Sequence, residues 1–205
     1  MTMIYRLYEH LLASQIKKSS LPSCVTVVLG SGDLSGDGLN RLIHLLEWSR
    51  SIRLPSLVLY VNDDEPSLCQ KIASSLASVP AQISLHTAEG AEQMGTGGPL
   101  NVVISLGYGG KREVTEAFRN ILRRVERGEI KADQIDEKSI ESNLRFSQKP
   151  DLVIRAGGKR LSDFMIWQAA YSELYFTDVN WQEFRKIDFL RAIRDCQNRE
   201  RRFGR

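Results

Sequence analysis

Cysteine is scarce in this chain. Cys24, Cys69 and Cys196 stand far apart with no paired spacing, which excludes a disulfide framework and a cysteine zinc site and points to a reducing cytosol. Long apolar runs are missing too: no stretch approaches the roughly 18 residues of a membrane span. The opening MTMIYRLYEHLLASQIKKSS carries acidic and polar residues where a signal peptide has an apolar block. The expectation is therefore a cytoplasmic protein whose membrane contact, if it makes one, is peripheral. Charge of one sign is not in large excess, because a formal net charge of +3 is too small to imply a nucleic-acid partner, although positive charge thickens near the C-terminus. The three histidines, His10, His44 and His86, share no ligand spacing. Repeats and low-complexity linkers are absent. Glu89 to Pro99, with four glycines, reads as one surface loop, so residues 1–205 are expected to form a single domain.

What is present suits an α/β domain. With 42% hydrophobic and 26% charged residues, 205 residues are enough for a sizeable core. Short apolar runs rich in β-branched residues predict strands at Cys24 to Leu29, Leu57 to Val61, Gln82 to His86, Leu100 to Leu106, Asp151 to Ile154 and Leu174 to Asp178. Runs such as VTVV and NVVISL suit strands buried on both faces of a parallel sheet. Leu39, Leu42, Ile43 and Leu46 recur at helical spacing. Further helices are expected near Ser67 to Ser78, Lys111 to Arg127, Glu137 to Asn143, Phe164 to Ala170 and Trp181 to Arg199. An open parallel sheet of about six strands covered by helices follows.

Open α/β sheets bind ligands beyond the carboxyl ends of their strands, so a site is expected in the segments that follow them. The richest is DLVIRAGGKRLSDFMIWQAAYSELYFTD, residues 151–178. Gly157 and Gly158 let the backbone approach an anion, Arg155 and Arg160 offer charge-assisted bonds, and Ser162 can cap a helix or bond an oxygen. The same residues also suit a plainer reading, in which the arginines pair with surface acids and Ser162 only caps.

The run IRAGGKRLSDF, then WQAAYSELYFTDVNW, then NRERRFG resembles the C-terminal signature of the cis-prenyltransferases, the undecaprenyl and dehydrodolichyl diphosphate synthase family. The resemblance extends upstream through LNVVISLGYGGKREV, with Tyr108, Gly109 and Gly110 on the family's Tyr-Gly-Gly segment, and to LYEHLL before the first strand. It implies chemistry that adds isopentenyl diphosphate to an allylic diphosphate with Mg²⁺ and grows the product in an apolar tunnel beside the sheet. Residue by residue, it implies that Arg155, Arg160 and Ser162 hold isopentenyl diphosphate and that Glu173 is a Mg²⁺ ligand. It also implies that Arg202 and Gly204 form an Arg-x-Gly motif that reaches a neighbouring subunit's substrate. Lys159 alone separates Gly158 from Arg160, one residue fewer than the family has there.

The N-terminal half departs from the pattern. Where the family has Met-Asp-Gly-Asn, this chain reads Leu29-Gly30-Ser31-Gly32-Asp33, and no Lys or Arg occurs between Lys18 and Arg41. Gly30 replaces the metal-binding Asp, and Asp33 and Asp37 would repel a diphosphate. The loop reads as a strand-to-helix turn with Asp37 as N-cap. After the second strand, Val61-Asn62-Asp63-Asp64-Glu65-Pro66 replaces the family's aromatic and polar segment and reads as a solvated acidic turn rather than a metal cluster. With the isopentenyl side kept and the allylic and metal side lost, the chain resembles the accessory subunit of heteromeric members, of which the Nogo-B receptor is the animal example. That resemblance implies no catalytic residue acting alone, and a heterodimer or heterotetramer with a catalytic cis-prenyltransferase subunit that binds the allylic diphosphate. Two alternatives stand beside it: a self-sufficient homodimeric synthase with a diverged primer site, and a non-catalytic isoprenoid diphosphate-binding protein. For the tail, the plain reading of Arg191, Arg194, Arg199, Arg201, Arg202 and Arg205 is a solvated or lipid-contacting basic face.

Overall fold

The computed structural model describes residues 3–18, 20–30, 32–62, 65–158 and 163–199. Seven strands form one sheet: β1 (Cys24–Leu29), β2 (Ser56–Val61), β3 (Gln82–His86), β4 (Ala91–Met94), β5 (Asn101–Leu106), β6 (Leu152–Ala156) and β7 (Glu173–Thr177). Their spatial order is β4-β3-β5-β2-β1-β6-β7, and every neighbouring pair is parallel except β3 with β4. All six expected strands are present within a residue or two. The seventh, β4, falls in the stretch read as a loop. It pairs antiparallel with β3 through Ile83 opposite Met94, and its own residues are mostly exposed, so it lacked the apolar pattern that betrays a strand.

Helices α1 (Met3–Lys18), α2 (Gly38–Ile52), α3 (Pro66–Leu76), α4 (Gly110–Glu126), α5 (Glu137–Glu141) and α6 (Lys186–Asn198) complete the element order, with short 3₁₀ turns at Ala132–Gln134 and Trp181–Glu183. One sheet face is covered by α1, α2, α3 and α6. Leu12, Ile16, Leu42, Leu45, Leu46, Ile72, Leu76 and Phe189 fill it against Val27, Leu57, Leu59 and Ile154. The other face packs Val28, Val58, Tyr60, Val103 and Val153 on Tyr108, Phe146, Phe164 and Met165, which come from loops. Tyr60 stacks on Phe164 with ring centroids 4.4 Å apart.

Two expected helices are corrected. Residues 164–170 form successive turns, because Met165 takes φ 50° and interrupts any helical run. Long-range bonds hold the segment instead: Gln168 Nε2 donates to Glu113 and, at 2.9 Å, to the Phe146 carbonyl. The last helix begins at Lys186, after the 3₁₀ turn that buries Trp181.

Candidate functional site

The order of strands changes direction beside β1: the chain passes from β1 to β2 on one side and returns to β6 on the other. That switch point opens a crevice at the carboxyl ends of β1 and β6, the place where such sheets bind ligands. Arg155 stands there, paired in register with Val28 of β1 and Phe176 of β7. Its Nη1 donates to the Val28 carbonyl at 2.9 Å. Gly30 and Gly158 border the guanidinium so closely that a Cβ on Gly158 would lie 3.2 Å from Nε, and one on Gly30 3.4 Å from Nη2. Arg155 Nε is buried without a hydrogen-bond partner. Gly157, at φ 65°, supplies the left-handed turn that brings the loop back over this arginine. Lys159, Arg160 and Ser162 lie outside the described residues, as do Arg202 and Gly204.

The loop after β1 is committed to itself. Asp33 Oδ2 accepts the Gly30 amide at 2.6 Å, and the Asp33 amide returns to the Gly30 carbonyl at 3.3 Å. The backbone donor that a diphosphate could have used is thus held by a carboxylate of the same loop. Asp37 occupies the N-cap position of α2, as expected, but makes no capping bond; it accepts from Asn40 Nδ2 at 2.9 Å and pairs with Arg41 at 3.5 Å. Arg41, the first cation after the loop, points away to the Gln182 carbonyl. Gln182 Nε2 and Trp181 Nε1 tie Asp33 and Gly38 to the turn before α6. The sequence held one signal for this lock: an Asp three residues after a loop amide is a familiar local acceptor.

After β2, Asp63 and Asp64 lie outside the described residues, and Glu65 is the N-cap residue of α3. After β5, Gly109 and Gly110 open α4, but Asp163 occupies the helix N-terminus. Its carbonyl accepts the Gly110 amide at 2.7 Å and its carboxylate accepts the Lys111 amide at 3.3 Å. The two glycines serve this contact, since a Cβ on Gly110 would come within 2.2 Å of the Asp163 carbonyl oxygen.

Glu173 is not brought to Arg155. It opens β7 opposite Leu152, three positions before the Phe176 that faces Arg155, so the two are about 10 Å apart along the strands. Alternation also separates them across the sheet: Tyr175 packs on the core under α6, which puts Glu173 on that face, whereas Arg155 shares the face of Val153. Glu173 Oε2 accepts Arg199 Nη1 at 3.0 Å. The donor set among the described residues does not fit Mg²⁺. The ion needs carboxylates and phosphates gathered around it, yet Gly30 offers no carboxylate and Glu173 is neutralised by an arginine. Among the described residues no group of three or more His, Cys, Asp or Glu side chains could hold a metal. Among them, too, no helix is long and apolar enough to cross a membrane.

The comparisons with known proteins agree with this architecture. The family model for undecaprenyl diphosphate synthase matches residues 61–204. A tritrans,polycis-undecaprenyl-diphosphate synthase (geranylgeranyl-diphosphate specific) from Thermococcus kodakarensis is 32% identical, covering 98% of this chain and 94% of the relative. Its namesake from Methanocaldococcus jannaschii is 28% identical over 98% of this chain and 89% of the relative. The Thermococcus alignment runs over 250 positions, more than the 205 residues here, so that relative carries stretches this chain lacks. Among solved structures, lavandulyl diphosphate synthase from Lavandula x intermedia, in complex with dimethylallyl diphosphate, superposes with a TM-score of 0.70 at 22% identity, covering 90% of this chain and 99% of that one, a likeness of fold. These names describe synthases; the accessory likeness drawn from the loops has no counterpart among them.

Proposed function

Because the chain belongs to the undecaprenyl diphosphate synthase family, we propose that it serves cis-polyprenyl diphosphate synthesis as the accessory subunit of a two-chain enzyme, beside a partner that retains the acidic primer loop. The observation that carries this reading is the Asp33 carboxylate bonded to the Gly30 amide, which puts negative charge and an occupied donor where an allylic diphosphate needs free amides and cations. On the other side of the crevice, Arg155 keeps an unpartnered donor beside Gly158, in keeping with a diphosphate held there together with Arg160 and Ser162. In this reading the chain's own residues bind and orient isopentenyl diphosphate. Carboxylates of the partner would hold Mg²⁺, which would supply charge neutralisation for the phosphates. The Arg-x-Gly tail, Arg202 to Gly204, extends to the partner's substrate.

Two further features support incompleteness. Beside the sheet, where the resemblance implies an apolar tunnel, Leu45, Leu46, Leu57, Leu59, Ile72 and Leu76 belong to one packed cluster and are all 0% exposed. The relatives also carry stretches that this chain lacks. A second reading, a self-sufficient synthase with a rebuilt primer site, is favoured by the names of the relatives. Isopentenyl transfer to farnesyl or geranylgeranyl diphosphate separates the two, measured for this chain, for a family member bearing the Asp loop, and for the mixture. Activity above the partner's own only in the mixture, lowered about 10- to 100-fold by Arg202→Ala as a charged hydrogen bond of about 1.5 to 3 kcal/mol is lost, is the expected outcome. Turnover by this chain alone overturns it.

A further inference from the structure

Arg199 is the last described residue and the C-cap of α6, and its side chain is fully engaged. Nη1 donates to Glu173 Oε2 at 3.0 Å and to the Leu174 carbonyl at 3.1 Å, while Nη2 meets Asp195 Oδ2 at 2.6 Å. Two of these acceptors belong to the start of β7 and one to the helix, so the guanidinium clasps the end of α6 to the edge strand of the sheet. The planar fork suits this task, since it can serve carboxylate and carbonyl together in one fixed geometry, which a lysine cannot. The backbone at Arg199, φ −84° and ψ 138°, leaves the helix in an extended direction. Arg202 follows three residues later, within a chain reach of about 10 Å. The clasp also lies on the sheet face and at the strand end opposite to Arg155.

We infer that Arg199, held by Glu173, is a positioning residue: the clasp fixes the end of α6 against β7, and with it the point at which the chain leaves the helix, three residues before Arg202 in the sequence. Glu173 is then the counter-ion of the clasp, which accounts for its lying apart from Arg155. The inference rests on the accessory reading for its functional consequence and on the described contacts alone for the clasp itself.

The test has two arms. In the chain by itself, native-state amide hydrogen exchange of residues 197 to 199 is expected to quicken at least tenfold in Arg199→Met and in Glu173→Gln, with the melting temperature nearly unmoved. Unchanged exchange overturns the clasp, whatever the enzyme assay gives. In the mixed enzyme, Glu173→Gln and Arg199→Met are each expected to lower kcat several-fold with little change in KM for isopentenyl diphosphate. The charge-swapped pair Glu173→Arg with Arg199→Glu should recover part of the loss. In the Arg202→Ala background Glu173→Gln should cost little more, because both changes act through the same arginine. Additive losses overturn the positioning role while leaving the accessory reading intact. A mixture no more active than the partner alone overturns that reading, and with it the functional role of the clasp.

Discussion

Glu113 is 1% exposed; it accepts the Phe146 amide at 2.8 Å and Gln168 Nε2 at 3.1 Å, and Arg145 interacts with it through its backbone and its charge. Burial pushes its carboxyl above the ordinary 4.5, and the bonds from Phe146 and Gln168 offset part of that rise. Its protonated form is therefore favoured in the fold more than in the unfolded chain. The stability this contributes is fully present below the ordinary 4.5 and is lost as pH rises through the elevated value. Urea unfolding at a series of pH values should show the native protein losing stability relative to Glu113→Gln from pH 4.5 upward, and a difference that grows with pH in the opposite sense would contradict this. None of this was legible beforehand, because Glu113 sits in a basic, solvent-like stretch, GKREV, and only the packing of residue 146 over α4 buries it. Arg155 is the opposite case: an arginine closing a β-branched run before two glycines could be picked out by local pattern as a candidate for an anion site.

Helix α4 shows how an element is placed by its ends. Its N-terminal amides meet the Asp163 carbonyl and carboxylate, so the segment after β6 and the helix after β5 are fixed to each other at that point. Gly110 permits the approach, with no room for a methyl beside the Asp163 carbonyl. Gly110→Ala should therefore cost about 1 to 3 kcal/mol, the usual range for overpacking, read from the denaturant midpoint. An unchanged midpoint would mean that the two segments separate freely. The same contact explains why residues 164–170 failed to become the helix their spacing suggested. Asp163, Met165 and Gln168 are each claimed by distant partners, and those bonds fix the backbone in turns.

Across the whole molecule, both sheet faces are buried and α6 touches β6, β7, α1 and α2, so no part of the described chain has a core of its own. A single cooperative transition is expected, with the fluorescence of buried Trp181 and the far-ultraviolet signal of the helices moving together in urea. Two separated transitions would break the single-domain reading. At this scale the division of labour proposed for the enzyme also becomes a statement about space: the crevice with Arg155 and the root of the tail lie at opposite ends and on opposite faces of one sheet. A chain built so is suited to serve two sites, one at its own crevice and one beyond its edge.

The α/β class and the positions of the six main strands along the chain were determined by sequence alone, because each depends on local pattern: β-branched runs and helical spacing. The accessory reading was drawn from residues too, from Gly30 and the acids that follow it, and the named relatives do not share it. Tertiary structure decided the rest. It closed Asp33 onto Gly30, buried Glu113, seated Asp163 at the start of α4, and parted Glu173 from Arg155 while joining it to Arg199. Each of those depends on which distant segments the sheet order brings together, and spacing along the chain carries no record of that.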